Sequence, residues 1–547
     1  MVVSEAIAGA LVWLGVDHFF GLVGSGNFIL TNALVSSGAR FLAARHECAA
    51  VSMADGYARV SGRVGVATVH QGPGLTNAMT GLAEAAKART PLLLLAADTS
   101  AGARHSNFGI DQAALARAVG AVPARVNGPA SALGDVAEAW RTAMCQRRAV
   151  LLSLPLDVQA ADAPSDRAAA MASPPRPPAP PPGAVGDLAD LVMAASAPAI
   201  VAGRGAVLAG AGPALGRLGE RIGAILATSA NGNGLFAGDR WSVGISGGFA
   251  SPTAAALLRA ADLVLSFGAS LNMWTTRHGE LIGPKASVVQ VDVERDAIGA
   301  HRPVDIGIVA DAAEAAASLD AELERRQFRA KGFRRDDVGD RIARGGWRHE
   351  EYADASDGSR IDPRSLSVAL EEILPAERLV AIDSGHFMGW PAMYMSVPDA
   401  AGFVFTQSFQ SVGLGLASAI GAAIARPDRL TVAFQGDGGA LMAAGEIDTI
   451  ARLQVPLLVV VYNDAAYGAE VHHFAPQGHP VHAVRFPDTD FAALARAHGA
   501  RGVTVRNRSD LGAVEQWVAT RDGALVVDAK VQPNVVGAWL EEAFRSH

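Results

Sequence analysis

The sequence predicts an α/β protein of three domains, each with a mainly parallel sheet flanked by helices. Three observations predict it. The chain has 547 residues, which at roughly 150 residues per domain leaves room for three or four domains. Short apolar runs bounded by glycine or polar residues alternate with alanine-rich stretches of helical spacing, the pattern of buried parallel strands and their crossover helices. A proline run and a charged stretch cut this pattern into three blocks, and none of the blocks is all-β or all-α.

The first block, residues 1–165, opens on an amphipathic helix (MVVSEAIAGALVWLGVDHFFG). Glu5 and Asp17 interrupt its apolar pattern and no basic segment precedes it, so it does not read as a signal peptide. Strands follow at VGVATV (64–69), PLLLLAA (91–97) and AVLLSLPL (149–156), with a helix at 75–88. PPRPPAPPPG (174–183) favours extended polyproline geometry and marks a linker over 166–184. The second block, 185–325, has strands at APAIVAG (197–203), ADLVLSFG (261–268) and SVVQVDV (287–293). A charged, weakly periodic stretch over 326–359 reads as a solvated connector, although its basic residues also suit the entrance of an anion site. The third block, 360–547, places strands at RLVAID (378–383), LTVAFQG (430–436), PLLVVVYN (456–463) and DGALVVDAKV (522–531).

Composition excludes several classes. With 50% apolar and 18% charged residues the chain can build a large core and is not disordered. Forty-six Lys and Arg against 54 Asp and Glu leave a net charge of −8, which is no footprint for nucleic acid. Cys48 and Cys145 are too few for a disulfide framework or a cysteine zinc cluster. No apolar stretch approaches the 18 residues of a membrane span, so the expected location is the cytosol. Glycine is in excess, at 59 residues, without a collagen period.

The strongest chemical signal is Gly436-Asp437-Gly438, with Asn463 following after twenty-four intervening residues. Each lies where a predicted strand ends, and open parallel sheets bind ligands at the carboxyl ends of their strands. A carboxylate and an amide oxygen on neighbouring strand ends are hard donors suited to Mg²⁺. Gly436, Gly438 and Gly439 let backbone N–H groups approach a diphosphate, helped by the helix that starts there. Taken alone, Gly-Asp-Gly is also a common turn.

This spacing resembles the signature of thiamine diphosphate (ThDP) enzymes. ARHECAAVSMADGYARVSGRVGVATVHQGPGLTNAMTGLAEA (44–85) resembles the pyrimidine-binding domain of acetolactate synthase, benzoylformate decarboxylase and benzaldehyde lyase. SVGLGLASAIGAA (411–423) and VDVERDAIGAHRPVDIGIVADA (291–312) resemble, respectively, the cofactor-supporting stretch and the central domain. The resemblance implies a pyrimidine-binding domain, a central domain and a C-terminal diphosphate domain. It implies that Asp437, Asn463 and the carbonyl of Ala465 hold Mg²⁺, which bridges to the diphosphate. It places Glu47, in Arg45-His46-Glu47, against the aminopyrimidine ring, where a carboxyl promotes the imino tautomer that generates the ylid. Without the resemblance, a lone Glu at a helix start reads as a solvated or capping residue. Val412 takes the position that bends the cofactor, Gln410 borders the pyrimidine, and Gly72, Asn77, His386 and Tyr467 join the cofactor contacts.

Other residues would set the reaction. His70 in VHQGPG matches a histidine of benzoylformate decarboxylase and titrates near neutrality, although many histidines only cap strand ends. Gln71 is placed to bond a substrate carbonyl. Ser25 follows Gly24 as in the decarboxylase, and Asn107 takes the place of a glutamine of benzaldehyde lyase. The lyase's own histidine is replaced by Gly26. His472 and His473 fall where relatives roof the substrate. AIVAGRGAVLAG (199–210) lacks GxGxxG, so FAD is not predicted and a dehydrogenase is disfavoured. The expected function is ThDP- and Mg²⁺-dependent C–C bond cleavage or formation next to a carbonyl. A 2-keto acid would be decarboxylated to an enamine, which is protonated to an aldehyde or ligated to a second carbonyl. An acyloin lyase and a non-catalytic ThDP-fold subunit are the alternatives. Expected partners are a small 2-keto acid, aldehyde or acyloin and a second copy of the chain, as homodimer or homotetramer; neither nucleic acid nor membrane is expected.

Overall fold

A computed structural model describes residues 1–103, 105–163, 176–330 and 332–545. Three six-stranded sheets follow one another along the chain, and every strand pairing within them is parallel. The first contains β1 (His18–Gly21), β2 (Arg40–Ala43), β3 (Gly65–Val69), β4 (Leu92–Asp98), β5 (Val122–Arg125) and β6 (Ala149–Pro155), in the order β2-β1-β3-β4-β6-β5. The central sheet contains β7 (Pro198–Ala202), β8 (Ile225–Thr228), β9 (Ser242–Ile245), β10 (Leu263–Phe267), β11 (Ser287–Asp292) and β12 (Ile306–Val309), in the order β12-β11-β10-β7-β8-β9. The third contains β13 (Arg378–Ile382), β14 (Phe403–Phe405), β15 (Leu430–Gly436), β16 (Leu457–Asn463), β17 (Arg501–Val505) and β18 (Leu525–Lys530). Its order, β14-β13-β15-β16-β18-β17, repeats that of the first sheet strand for strand.

The sequence periods explain these sheets. β3, β4 and β6 are buried at every position, as strands covered by helices on both faces must be. Three local expectations are corrected. The segment 75–88 is two helices, Pro73–Asn77 and Met79–Lys87, broken at Ala78. The helical stretch after Gly-Asp-Gly is also two, Asp437–Met442 and Gly445–Arg452. The proline-rich linker ends early: residues 176–181 are irregular, and Pro182 already stands in the first turn of the Pro182–Ala194 helix, where its missing N–H costs nothing. Residues 166–175 of that linker lie outside the described residues. The charged connector also contributes to packing, because Phe333 and Val338 enter the core of the central domain.

The first and third domains meet along one helix pair. The Glu47–Ser61 helix crosses the Gly415–Ala425 helix, and one apolar core runs through both domains from Val51 and Met53 to Leu416 and Ile420. The crossing is close because two glycines stand at it. A Cβ on Gly421 would lie 1.9 Å from the Met53 carbonyl oxygen, and one on Gly56 2.1 Å from that of Ser418. Helical glycine normally destabilises relative to alanine, so here close backbone approach outweighs propensity.

That comparison gives a test of opposite signs. Gly421→Ala should destabilise the fold by about 1–3 kcal/mol through overpacking. Gly9→Ala, on the exposed side of the Val3–Trp13 helix with nothing within 4 Å, should gain about 1 kcal/mol from helix propensity. Denaturant midpoints moving in the same direction for both variants would contradict the packing account.

Candidate active site

The residues singled out by the sequence assemble into two groups, both at carboxyl ends of strands. In the third domain, Gly436 ends β15, Asn463 ends β16 and Asp383 follows β13. A cavity of about 350 Å³ opens over these ends. Its lining includes His386, Gln410, Val412, Asp437, Asp464 and Tyr467.

The loop after Asn463 is held from behind. Asn463 is fully buried, and its Nδ2 donates to Asp528 Oδ1 at 2.9 Å and to the Thr489 carbonyl at 3.0 Å. Lys530 in turn pairs with Asp528 at 2.9 Å. These acceptors fix the amide, so Asn463 Oδ1 faces the loop, where it accepts from the Ala465 N–H at 3.2 Å. Ala465 adopts φ +59°, a left-handed turn that bends the chain after the strand. Asp437 is buried, with Oδ1 accepting from the Gly438 N–H at 2.9 Å. Burial pushes its carboxyl up to about 6. Asp464 is pushed up to about 7, by burial first and by the Asp437 charge second. The Asp437 charge disfavours ionisation of the half-buried Asp464, a conflict that a divalent cation would relieve. Among the described residues no three His, Cys, Asp or Glu side chains converge as a metal cluster. The donor set is instead carboxylate, amide oxygen and carbonyl, which fits Mg²⁺.

Space for a diphosphate comes from glycine. A Cβ on Gly438 would meet the Tyr467 ring at 2.6 Å, and one on Gly439 would meet Asp383 Oδ2 at 2.4 Å and Val412 Cγ1 at 3.2 Å. Val412 therefore packs directly on the Gly-Asp-Gly turn. Asp383 was not foreseen from the sequence. It is fully buried, and its carboxylate accepts from the Gly413 N–H at 2.9 Å and the Leu414 N–H at 3.1 Å. It thereby holds the loop that presents Gln410, at φ +62°, and Val412. An acidic residue directly after a strand was the only available signal. His386 Nε2 accepts from the Gly537 N–H at 3.1 Å, so the neutral ring carries its proton on Nδ1. Burial, then His472, pushes this imidazole down to about 3. His386 thus faces the cavity as a neutral donor, not as a cation. The C-terminal stretch through Trp539, whose ring stacks on His386 at 5.7 Å, was also missed.

The second group lies on the first domain, and none of it lines that cavity. Glu47 begins the Glu47–Ser61 helix and is 8% exposed. Asn77 Nδ2 donates to Glu47 Oε2 at 3.1 Å. His70 Nδ1 accepts from the Gly26 N–H at 3.1 Å, which leaves the proton of the neutral ring on Nε2. Burial lowers its pKa, partly opposed by the Glu47 charge. Phe108 meets the His70 ring edge-on at 5.0 Å. Gln71 is buried, with Oε1 unpaired among the described residues. A Cβ on Gly26 would lie 1.7 Å from that oxygen, so no side chain fits there while Gln71 keeps this position. Gly72, at φ +63°, lies under Phe108, beside the exposed Asn107. Ser25 is exposed on the turn before Gly26. A separate cleft of about 250 Å³ lies between the central and third domains. Arg348, the charged residue in its lining, pairs with Glu371.

Comparison with known proteins identifies the family. Residues 1–117 match the N-terminal TPP binding domain of thiamine pyrophosphate enzymes, 185–319 the central domain and 383–529 the C-terminal TPP binding domain. The chain is 28% identical to a sulfoacetaldehyde acetyltransferase of Alcaligenes xylosoxydans xylosoxydans, over 94% of this chain and 89% of that protein. It is 30% identical to a probable 2-ketoarginine decarboxylase of Pseudomonas aeruginosa, over 94% and 90%. It is 24% identical to an acetolactate synthase of Bacillus subtilis, over 96% and 93%. With all three domains matched in order, the chain belongs to the thiamine diphosphate-dependent enzyme family.

Proposed function

We propose that this enzyme uses ThDP with Mg²⁺ to break or form a C–C bond next to a carbonyl, acting on a 2-keto acid and releasing or ligating an aldehyde-level product. The observation that carries the reading is the Asp437–Asn463–Ala465 loop: hard oxygen donors set into a glycine cradle at the carboxyl ends of β15 and β16. When bound, ThDP supplies a carbon nucleophile and an electron sink next to the substrate carbonyl. The residues of the chain do the rest. Asp437, Asn463 Oδ1 and the Ala465 carbonyl would hold the metal, while Gly438 and Gly439 admit the diphosphate. Val412 and Gln410 would support the pyrimidine. Glu47 would share a proton with the pyrimidine ring, its own carboxyl oriented by Asn77. His70 is suited to donate from Nε2 and to take the proton back, as an imidazole that burial favours in its neutral form. Gln71 offers a buried acceptor beside it.

Support for a site shared between two chains comes from the separation of the two groups. Exposed apolar side chains surround both of them: Val23, Phe28, Ile29 and Phe108 in the first domain, and Phe409, Leu441, Met442 and Tyr467 in the third. A second copy that covers both faces would bring Glu47 of one chain to the metal loop of the other. A homodimer is therefore the smallest active unit in this reading. Gly26 argues against a benzaldehyde lyase-like site, because a histidine there would displace Gln71. No helix is long and apolar enough to cross a membrane among the described residues.

Glu47→Gln should lower turnover by about 10²–10⁴-fold, with ThDP affinity within about threefold; near-normal turnover by steady-state assay would contradict the role given to Glu47. Chelation of divalent cations should release ThDP, read by fluorescence of Trp390 beside the cavity, and Mg²⁺ should restore it. Because Asp437 rests near 6 without a metal, protons compete with Mg²⁺ at low pH. Mg²⁺ affinity should therefore fall as pH drops from 7 to 5, and a pH-independent affinity would count against Asp437 as the ligand.

A further inference from the structure

The repeated sheet order brings two buried glutamates into equivalent places. Glu446 lies on the Gly445–Arg452 helix, after β15, and Glu84 on the Met79–Lys87 helix, after β3. Both are 2% exposed. Glu446 Oε1 accepts from two consecutive backbone N–H groups of the first domain, Arg45 at 2.9 Å and His46 at 3.1 Å. Its Oε2 accepts from Thr449 Oγ1 at 2.7 Å. The two amides lie in the loop after β2, directly before Glu47. Two more contacts from the same helix grip this loop: Arg45 Nε pairs with Asp448 at 2.6 Å, and Arg452 donates to the Ala43 carbonyl.

Glu84 does the mirror operation. It accepts from two consecutive N–H groups of the third domain, Ser408 at 3.2 Å and Phe409 at 2.6 Å. These lie in the loop after β14, directly before Gln410 and Val412. Arg59, buried between Asp55 and Glu84 at 2.8 Å from each, adds a bond to the Phe405 carbonyl at 3.0 Å. In each domain, then, the helix that follows its own cofactor loop grips the loop by which the other domain presents a cofactor-facing group. Charged acceptors on backbone N–H groups in a buried setting are strong and specific in direction.

We infer that Glu446 and Glu84 are reciprocal positioning residues, Glu446 setting the placement of Glu47 and Glu84 that of the Gln410–Val412 loop. The functional half of this inference rests on the ThDP reading; the structural half does not. In a site shared between chains, Glu446 also links two sites. It stands nine residues after Asp437 of one site and orients Glu47 of the next.

The test has two arms. Hydrogen–deuterium exchange of the cofactor-free protein reads the clamp directly. Glu446→Ala should speed exchange of a peptide covering residues 43–47 by about tenfold or more, the loss of two buried acceptor bonds, while residues 50–60 stay protected. Glu446→Gln, which keeps an acceptor oxygen, should restore protection. The second arm measures exchange of the cofactor C2 proton at saturating ThDP and Mg²⁺, beside ThDP affinity by tryptophan fluorescence. Glu446→Ala should slow C2 exchange by about tenfold or more with affinity within about threefold. Glu84→Ala should instead weaken ThDP affinity by about tenfold. Should the alanine variant not fold, Glu446→Asp withdraws the carboxylate by one methylene and should show the same local loosening. Unchanged protection at 43–47, loosening spread evenly along the Glu47–Ser61 helix, or affinity and C2 exchange falling together would overturn the inference. A wild-type protein that binds no ThDP would overturn the proposed function and leave the clamp to stand or fall on the first arm.

Discussion

The close crossing of the Glu47–Ser61 and Gly415–Ala425 helices is the constraint on which the rest depends. Gly56 and Gly421 let the two backbones touch, and the apolar core continues across the contact. That contact joins the first domain to the third through one continuous apolar core. Across the same boundary, Glu446 reaches the amides of Arg45 and His46, and Glu84 reaches those of Ser408 and Phe409. Buried carboxylates at such a boundary specify register as much as they stabilise, because each is costly unless its acceptors are filled.

The candidate site follows from parallel sheets. Strand ends at 382, 436 and 463 deliver Asp383, Asp437 and Asn463 to one rim. Burial there makes the Asp383 and Asp437 carboxyls reluctant to ionise, a conflict that the proposed divalent cation would relieve at Asp437. A layer behind the rim keeps donors in place. Asp528 and Lys530 orient Asn463, and Asp383 pins the backbone after Val412.

Much of this was legible in the sequence where the signal is local. Buried strands such as LTVAFQG and PLLVVVYN announce themselves as apolar runs, and the Gly-Asp-Gly to Asn463 spacing survives as a motif because both ends sit on adjacent strands. Glu47 was singled out only through its surrounding motif, since a lone Glu at a helix start carries no signal of its own. Asp383, Glu84 and Glu446 were not, since a single acidic residue carries no spacing and its role depends on a partner several hundred positions away. The tautomers of His70 and His386 are set by the N–H groups of Gly26 and Gly537, which no periodicity reveals. The helix breaks at Ala78 and at 443–444 were hidden because alanine favours helix on both sides of them.

In the proposed dimer, a working site takes Glu47 from one chain and the Asp437–Asn463 loop from the other. Mixing the Glu47→Gln chain with an Asp437→Ala chain and assaying the reassociated dimers tests it most directly. Each variant alone should be nearly inactive. A shared site predicts recovery to about a quarter of wild-type activity at equal mixing, because half the dimers then carry one intact site. No recovery from mixed dimers, shown to have formed by differential tagging, would contradict it.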